Sequence, residues 1–112
     1  MPIWIGGSGR KRTLRIAARF ADVWNASGGK PEEIAELSGV LDAHCADVGR
    51  DPAEIRRTTQ IRLTDNDDET LRLVESYAEV GVRDVIVITM PPDPVVQAER
   101  VAGLLPRLQA IG

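Results

Sequence analysis

The sequence has few cysteine, histidine and aromatic residues. Its 112 residues include one cysteine, one histidine, two tryptophans, one tyrosine and one phenylalanine. A lone Cys45 excludes a disulfide framework and a thiolate metal site, and it favours a reducing, cytoplasmic setting. So few aromatic side chains argue against a stacking surface for single-stranded nucleic acid. No apolar run approaches the ~20 residues of a membrane span, so no membrane association is expected.

Charge and composition further restrict the class of protein and its partners. The net charge is −3, with 43% hydrophobic and 28% charged residues. This balance is ordinary for a folded globular protein, and it gives no overall attraction for nucleic acid or anionic membranes. The length corresponds to one domain or a piece of a larger one, and we treat residues 1–112 as a single domain.

Strand and helix signals alternate along the chain. The patterns predict strands over 2–5, 23–26, 57–64 and 84–89, and helices over 10–21, 31–48, 68–80 and 94–110. The first strand is wholly apolar, and the last strand, DVIVIT, has the clearest buried pattern in the chain, so both are expected to be buried. Gly103 and Pro106 predict a kink or break in the last helix. The fold class is therefore α/β, with four βα units and parallel strands joined by right-handed crossovers.

The first strand ends in a glycine-rich loop that suits an anion. Gly6, Gly7, Ser8 and Gly9 let backbone N–H groups approach a ligand, and a helix N-terminus follows. The next three residues, 10–12, are the cations Arg, Lys and Arg. The spacing is neither a dinucleotide fingerprint nor a P-loop. Phosphate binding is one interpretation, and a tight turn with solvated cations is the other.

The order of the motifs resembles a known family. PIWIGGSG, then RTLRIAARFAD, then VWN is similar to the C-terminal half of bacterial luciferase-like monooxygenases, particularly the branch that uses coenzyme F420. GRDPAEIRRTTQIRL and AEVGVRDVIVI fit the same pattern. The resemblance implies the last four βα units of a (β/α)8 TIM barrel. Its loops at the C-terminal ends of the strands would bind F420 or FMN and a small organic substrate.

The resemblance also implies roles for particular residues. Gly6, Gly7, Ser8, Gly9 and Arg10 would hold the coenzyme phosphate. Asn25, at the end of the second strand, would bind a flavin edge or the substrate, although turn formation also explains an asparagine there. Thr89 and Met90 end the last strand and are further contact candidates. No catalytic nucleophile–base pair and no metal site can be assembled, and a redox coenzyme needs neither.

Several polar residues are assigned structural roles instead. Trp24 and Cys45 are expected in the core, and Asp22 is expected to cap a turn or pair with an arginine. His44 has no acidic partner one helical turn away, so no catalytic or metal role is assigned to it. The acidic run from Asp65 to Glu69 is interpreted as a turn followed by a helix start.

Three functional hypotheses remain. The first is a fragment or short member of the luciferase-like oxidoreductases, incomplete for catalysis without the N-terminal half-barrel. The second is a non-catalytic half-barrel that binds a phosphorylated small molecule or only self-assembles. The third is a flavodoxin-like open sheet without a cofactor.

An isolated half-barrel would leave two strand edges and one sheet face open. We expect either a homodimer that closes an eight-stranded pseudo-barrel or a flattened sheet, unless the missing N-terminal half supplies the partner. The apolar strand residues that would line a shared core are Ile3, Ile5, Ile61, Val85 and Val87.

Overall fold

The computed structural model describes residues 1–111 and confirms an α/β fold of four βα units. The elements are β1 (Trp4–Gly6), α1 (Thr13–Phe20), β2 (Val23–Ala26), α2 (Pro31–Val48), β3 (Arg56–Arg62), α3 (Asp67–Glu79), β4 (Asp84–Ile88) and α4 (Pro94–Gln109). A single 3₁₀ turn at Pro52–Glu54 precedes β3. Residue 112, the end of the predicted domain, lies outside the described residues.

The strands form one parallel sheet in the order β1-β2-β3-β4. A flavodoxin-like sheet would reverse its strand order and carry helices on both faces. Here the order is sequential, and the core cluster lies between the helices and one face of the sheet. This is the arrangement of a barrel arc. The Cα radius of gyration, 15.0 Å, exceeds the ~13 Å of a compact chain of this length, as an open arc should.

Local signals explain most element boundaries. Pro31 begins α2, and Gly49 ends it in the left-handed conformation at φ 70°. The side chain of Asn66 accepts hydrogen bonds from the N–H groups of Asp68 and Glu69, so the acidic run is a turn and a helix start as predicted. α4 continues through Gly103 and Pro106, so the helix is not broken there.

Two predicted boundaries at the start of the chain are wrong. β1 occupies Trp4–Gly6, and residue 3 before it is held from both sides: its N–H donates to the Asp22 carboxylate at 2.7 Å, and its carbonyl accepts from the N–H groups of Asp22 and Val23. Asp22 is therefore structural, but its partner is backbone rather than an arginine. α1 begins at Thr13 instead of residue 10, and the three cations at 10–12 form a turn before it.

Arg57 joins the second and third βα units. Its guanidinium, largely buried, donates to the carbonyl and hydroxyl of Ser38, to the Asp42 carboxylate and to the Pro52 carbonyl. These acceptors belong to α2 and to the 3₁₀ turn. A single side chain of β3 therefore links three consecutive elements.

The expected burial of the outer strands is wrong. Trp4 of β1 is 53% exposed, and Ile86 of β4 is 41% exposed. Both belong to edge strands and lie on the face away from the helices, which no other element of residues 1–111 covers.

The apolar residues expected to line this open face are placed differently. Ile61 belongs to the core on the helix side, and Ile5, Val85 and Val87 pack against that core. Ile3 is exposed ahead of β1. The apolar residues of β1, β3 and β4 therefore face the helices, whereas Trp24 of β2 lies in the core as expected.

Candidate functional site

The C-terminal edge of the sheet brings the predicted loop and Asn25 together. Gly6 ends β1 and is directly paired with Asn25 of β2. The loop formed by residues 7–12, called here the glycine loop, follows at this edge. Gly7 lies next to the end of β2, and the loop then runs to Arg10, which contacts His44 and Glu36 of α2.

Thr89 and Met90 are not part of this cluster. They follow β4, which is the opposite edge strand, three strand spacings or ~14 Å from β1. The Met90 N–H donates to the side chain of Gln97 on α4 at 2.8 Å. Within one chain these two residues therefore lie away from the glycine loop.

Several carbonyl groups of the glycine loop are bound to the protein. The Gly7 carbonyl accepts from the indole N–H of Trp24 at 2.9 Å, and the Gly9 carbonyl accepts from the Leu14 N–H at 2.9 Å. The Arg10 carbonyl contacts Nε2 of His44 at 2.7 Å. As the carbonyl has no proton, Nε2 is the donor.

The N–H groups of the loop have a different environment. The Gly7 N–H donates to the Asn25 carbonyl at 3.2 Å, whereas in the described part of the chain no N–H of residues 8–12 donates to a protein acceptor. Free N–H groups at 8–12, beside carbonyls at 7, 9 and 10 that are held by the protein, provide donors for an anion ahead of a helix N-terminus.

Two glycines are required by the shape of the loop. Gly7 has φ +123°, which side chains rarely adopt, and a Cβ there would lie 3.0 Å from Cγ2 of Thr13. A Cβ on Gly9 would lie 2.8 Å from Oγ1 of Thr13. The first turn of α1 therefore packs closely against the loop.

The charges around the glycine loop are mostly unneutralised. α1 has no acidic residue in its first turn and no side-chain cap. Arg10 pairs with Glu36 of α2 at 3.1 Å, but both side chains are more than half exposed. Exposed pairs contribute only ~0–1 kcal/mol, so this contact would not prevent Arg10 from binding a stronger anion. Lys11 and Arg12 are exposed.

Asn25 offers an amide group next to the loop. Its Oδ1 accepts a hydrogen bond from Oγ1 of Thr58 at 2.9 Å, so the Nδ2 protons point elsewhere. The residue is half-buried, and it lies on the open face because its neighbours Trp24 and Ala26 are in the core. It can therefore donate to a ligand at the open face.

A salt bridge forms lower on the open face. Arg56 of β3 holds the Asp84 carboxylate of β4 with two hydrogen bonds. These bonds keep the pKa of Asp84 below its usual value. The face is therefore mixed in character, with apolar, amide and ionic groups.

His44 and Trp24 are the loop contacts that sequence reasoning missed. Trp24 was expected only as a core residue, and it is fully buried. His44 is 34 positions from Arg10 and one step off the buried stripe of α2, so no local pattern indicates the contact.

We expect His44→Ala to loosen the glycine loop without unfolding the chain. One partly exposed hydrogen bond contributes ~0.5–1.5 kcal/mol, so the melting temperature should fall by only a few degrees. Affinity for a phosphate-bearing ligand should fall several-fold, measured by titration. A loss of stability with unchanged affinity would contradict this role.

Other titratable groups are structural. Burial raises the pKa of the Cys45 thiol, and burial with Glu32 and Glu33 nearby raises that of Tyr77. Tyr77 donates to the Gly29 carbonyl at 2.7 Å. No cluster of three potential metal ligands occurs within residues 1–111.

Comparison with known proteins identifies the family. The model of the luciferase-like monooxygenases matches residues 1–105. The chain belongs to this family. This membership confirms the resemblance seen in PIWIGGSG and the segments that follow it. No curated protein matches the chain. Among the described residues, no helix has the length and apolar character needed to cross a membrane.

Solved structures agree on the fold. The coenzyme F420-dependent tetrahydromethanopterin reductase from Methanopyrus kandleri is similar with a TM-score of 0.77 at 14% identity. The match covers 96% of this chain and 51% of the reductase, so the chain spans about half the length of that protein. A riboflavin lyase solved with modified FMN and riboflavin has a TM-score of 0.50 at 15% identity, over 69% of this chain and 17% of the lyase. The half-barrel architecture is thus confirmed.

Proposed function

We propose that this chain supplies the phosphate-binding part of an F420- or FMN-dependent oxidoreductase of the luciferase-like family. The observation that carries the proposal is the hydrogen bonding of the glycine loop. Its carbonyls at 7, 9 and 10 bind protein donors, and its N–H groups at 8–12 have no protein acceptor in the described chain. Three cations follow at the same place. A coenzyme phosphate matches both features.

Each residue has a definite task in this proposal. Gly7 and Gly9 give the backbone its shape, and the N–H groups and the Ser8 hydroxyl donate to phosphate oxygens. Arg10, Lys11 and Arg12 balance the negative charge, and Asn25 donates from the open face to the coenzyme ring or the substrate. The coenzyme, when bound, supplies the hydride transfer or oxygen activation on a small organic substrate.

A binding role without turnover is the second candidate. In the described residues the one histidine is engaged by the Arg10 carbonyl, and no metal cluster forms. A half-barrel with such a site could bind a phosphorylated small molecule and catalyse nothing. Phosphate-competitive binding of F420 or FMN without consumption of an organic substrate would favour this candidate.

The test is a fluorescence titration of F420 and FMN, each with inorganic phosphate as competitor. The triple variant Arg10→Gln, Lys11→Gln and Arg12→Gln should weaken binding at least tenfold, since a charge-assisted hydrogen bond contributes about 1.5–3 kcal/mol. The matched control is the triple variant Arg72→Gln, Arg83→Gln and Arg107→Gln.

The control removes the same charge near the opposite edge of the sheet and should leave affinity within about twofold, because exposed charges beyond a Debye length are screened. Equal losses of affinity in both triple variants would show that the coenzyme is attracted by the overall charge of the chain and not by the glycine loop. Binding of neither coenzyme by the unmodified chain would refute the proposal.

A further inference from the structure

Thr58 is a fully buried polar residue on the open face of the sheet. It is directly paired with Asn25 of β2 and with Asp84 of β4, and paired residues of a parallel sheet point to the same face. Asn25 lies on the open face, so Thr58 lies there too. Its exposed fraction is nevertheless 0%. The side chains around Thr58 therefore shield its hydroxyl from water, although no other element of residues 1–111 covers this face.

The hydroxyl of Thr58 is bound to two acceptors of β2. Its Oγ1 lies 2.9 Å from Oδ1 of Asn25 and 3.2 Å from the carbonyl oxygen of Trp24. Neither partner oxygen carries a proton, so the single proton of the hydroxyl is shared between them, and the shorter bond goes to the amide oxygen. Because water does not reach the hydroxyl, no solvent molecule competes for this bond.

The bond to Thr58 determines which end of the Asn25 amide is available to a ligand. An asparagine amide has an acceptor oxygen and a donor NH2 group, and a freely rotating amide can offer either one. Here the oxygen is engaged by Thr58, so the NH2 group points away from that residue. Asn25 is half-buried, which limits how far water can satisfy its protons. The position therefore favours a ligand atom that accepts a hydrogen bond and disfavours one that donates.

We propose that Thr58 is a positioning residue, which makes Asn25 a hydrogen-bond donor to a carbonyl oxygen of the flavin or deazaflavin ring. The inference rests on the proposed function, because it takes the coenzyme as the ligand. Asn25 suits the ring rather than the phosphate, since its side chain is uncharged and its backbone is bound to Gly6 and Gly7, just ahead of the phosphate-binding N–H groups. The pyrimidine edge of such a ring has carbonyl oxygens on either side of an N–H group, and a group that only donates pairs with the carbonyls.

Thr59 provides a matched control on the same strand. It is fully buried like Thr58, and its hydroxyl donates to the Ala26 carbonyl at 3.0 Å. Side chains alternate along a strand, so Thr59 lies on the helix side of the sheet. Thr58→Val and Thr59→Val each remove one buried hydroxyl that binds a carbonyl of β2, and valine has nearly the same shape as threonine. Only the first variant also removes a bond to Asn25.

The inference is tested by fluorescence titration with riboflavin, which has the ring of FMN and no phosphate. Thr58→Val should weaken riboflavin binding about three- to tenfold, as expected when one hydrogen bond is misplaced. Thr59→Val should leave the affinity within about twofold, and so should Thr58→Ser, which keeps the hydroxyl. Both valine variants should lower the melting temperature by the same few degrees, so lost stability does not explain a difference in binding.

Asn25→Asp reports which end of the amide faces the ring. The carboxylate can still accept from the Thr58 hydroxyl, but it leaves no donor for a ring carbonyl. Riboflavin binding should therefore fall at least tenfold. Because riboflavin has no phosphate, repulsion between two anions does not account for the loss. Retained binding would show that the amide oxygen faces the ligand.

A measurement without any ligand tests the positioning itself. In heteronuclear NMR spectra of the free chain, the Nδ2 proton signals of Asn25 should shift in Thr58→Val, because the amide loses the bond that holds it. They should shift much less in Thr59→Val and in Thr58→Ser. A hydroxyl that served only the stability of β3 would not distinguish the two threonines in this way.

Four results would overturn the inference. They are no riboflavin binding by the unmodified chain, a loss in Thr58→Val no larger than in Thr59→Val, retained binding by Asn25→Asp, or amide signals that Thr58→Val leaves in place.

The role of Thr58 and the phosphate site fail separately. The triple variant of residues 10–12 should weaken FMN binding and leave riboflavin binding unchanged. Thr58→Val should weaken the binding of both flavins and leave the affinity for inorganic phosphate unchanged. Absence of the first pattern alone refutes the phosphate site, and absence of the second alone refutes the role of Thr58.

Discussion

Trp24→Ala is expected to destabilise the chain more than any other single change considered. The side chain is fully buried in the core, and removing a buried tryptophan costs about 3–5 kcal/mol. A domain of this size has ~5–15 kcal/mol in total, and an open arc belongs near the lower end. The melting temperature should fall by ~15 °C or more in thermal denaturation followed by circular dichroism.

Trp24→Phe separates the two roles of the side chain. Phenylalanine keeps most of the apolar volume but lacks the indole N–H that binds the Gly7 carbonyl. We expect a smaller loss of stability, together with several-fold weaker binding of phosphate-bearing ligands by the loosened glycine loop. A melting temperature for Trp24→Ala within a few degrees of the unmodified chain would show that the core does not depend on this residue.

Gly7→Ala is expected to reduce coenzyme affinity by tenfold to a hundredfold. Alanine at φ +123° is strained by ~1–3 kcal/mol, and its Cβ would also press on Cγ2 of Thr13. The backbone must shift to relieve both, which moves the N–H groups that follow. Titration with F420 and FMN measures the loss.

Two further variants show whether backbone shape is the cause. Gly9→Ala has only the contact with Thr13 to relieve, so its smaller loss should be partly reversed by adding Thr13→Ala. Gly39→Ala lies on α2 with open space around it and should bind like the unmodified chain. Gly7→Ala with full affinity would mean that the conformation of the loop is irrelevant to binding.

The helices could be predicted well because their signals are local. α2 has the predicted limits, since Pro31 and Gly49 determine its two ends within a few residues. The glycine loop was predicted for the same reason: Gly6 to Arg12 are consecutive. The start of α1 was not, because residues 10–12 form a turn in the folded chain although their sequence is compatible with a helix.

Burial of the outer strands could not be predicted from their composition. An apolar run such as that at Val85–Ile88 indicates burial on both faces only if something covers both faces. Alternation along a strand also separates two sets of residues without showing which set faces the helices. The sequence therefore predicted the wrong face of the sheet for Ile5, Ile61, Val85 and Val87. It did not determine which face Asn25 occupies.

Long-range contacts also could not be predicted from the sequence. The hydrogen bonds of His44 to Arg10 and of Trp24 to Gly7 join residues 34 and 17 positions apart. Both depend on how α2 and β2 pack around the loop. A residue assigned no role and a residue assigned only to the core thus became the two anchors of the candidate site.

The contacts of Arg57 give the arc an uneven resistance to local opening. One guanidinium ties β3 to α2 and to the 3₁₀ turn, so the centre of the chain opens only if four hydrogen bonds break together. Among the described residues β1 has no comparable link, β4 is joined to β3 through the exposed pair of Arg56 and Asp84, and each of these strands has one neighbouring strand. Amide protons of the central strands should therefore exchange most slowly, and fraying should begin at both ends. The central strands are therefore stable within one chain, whereas the order of β1 and β4 depends on the surface that packs against each of them.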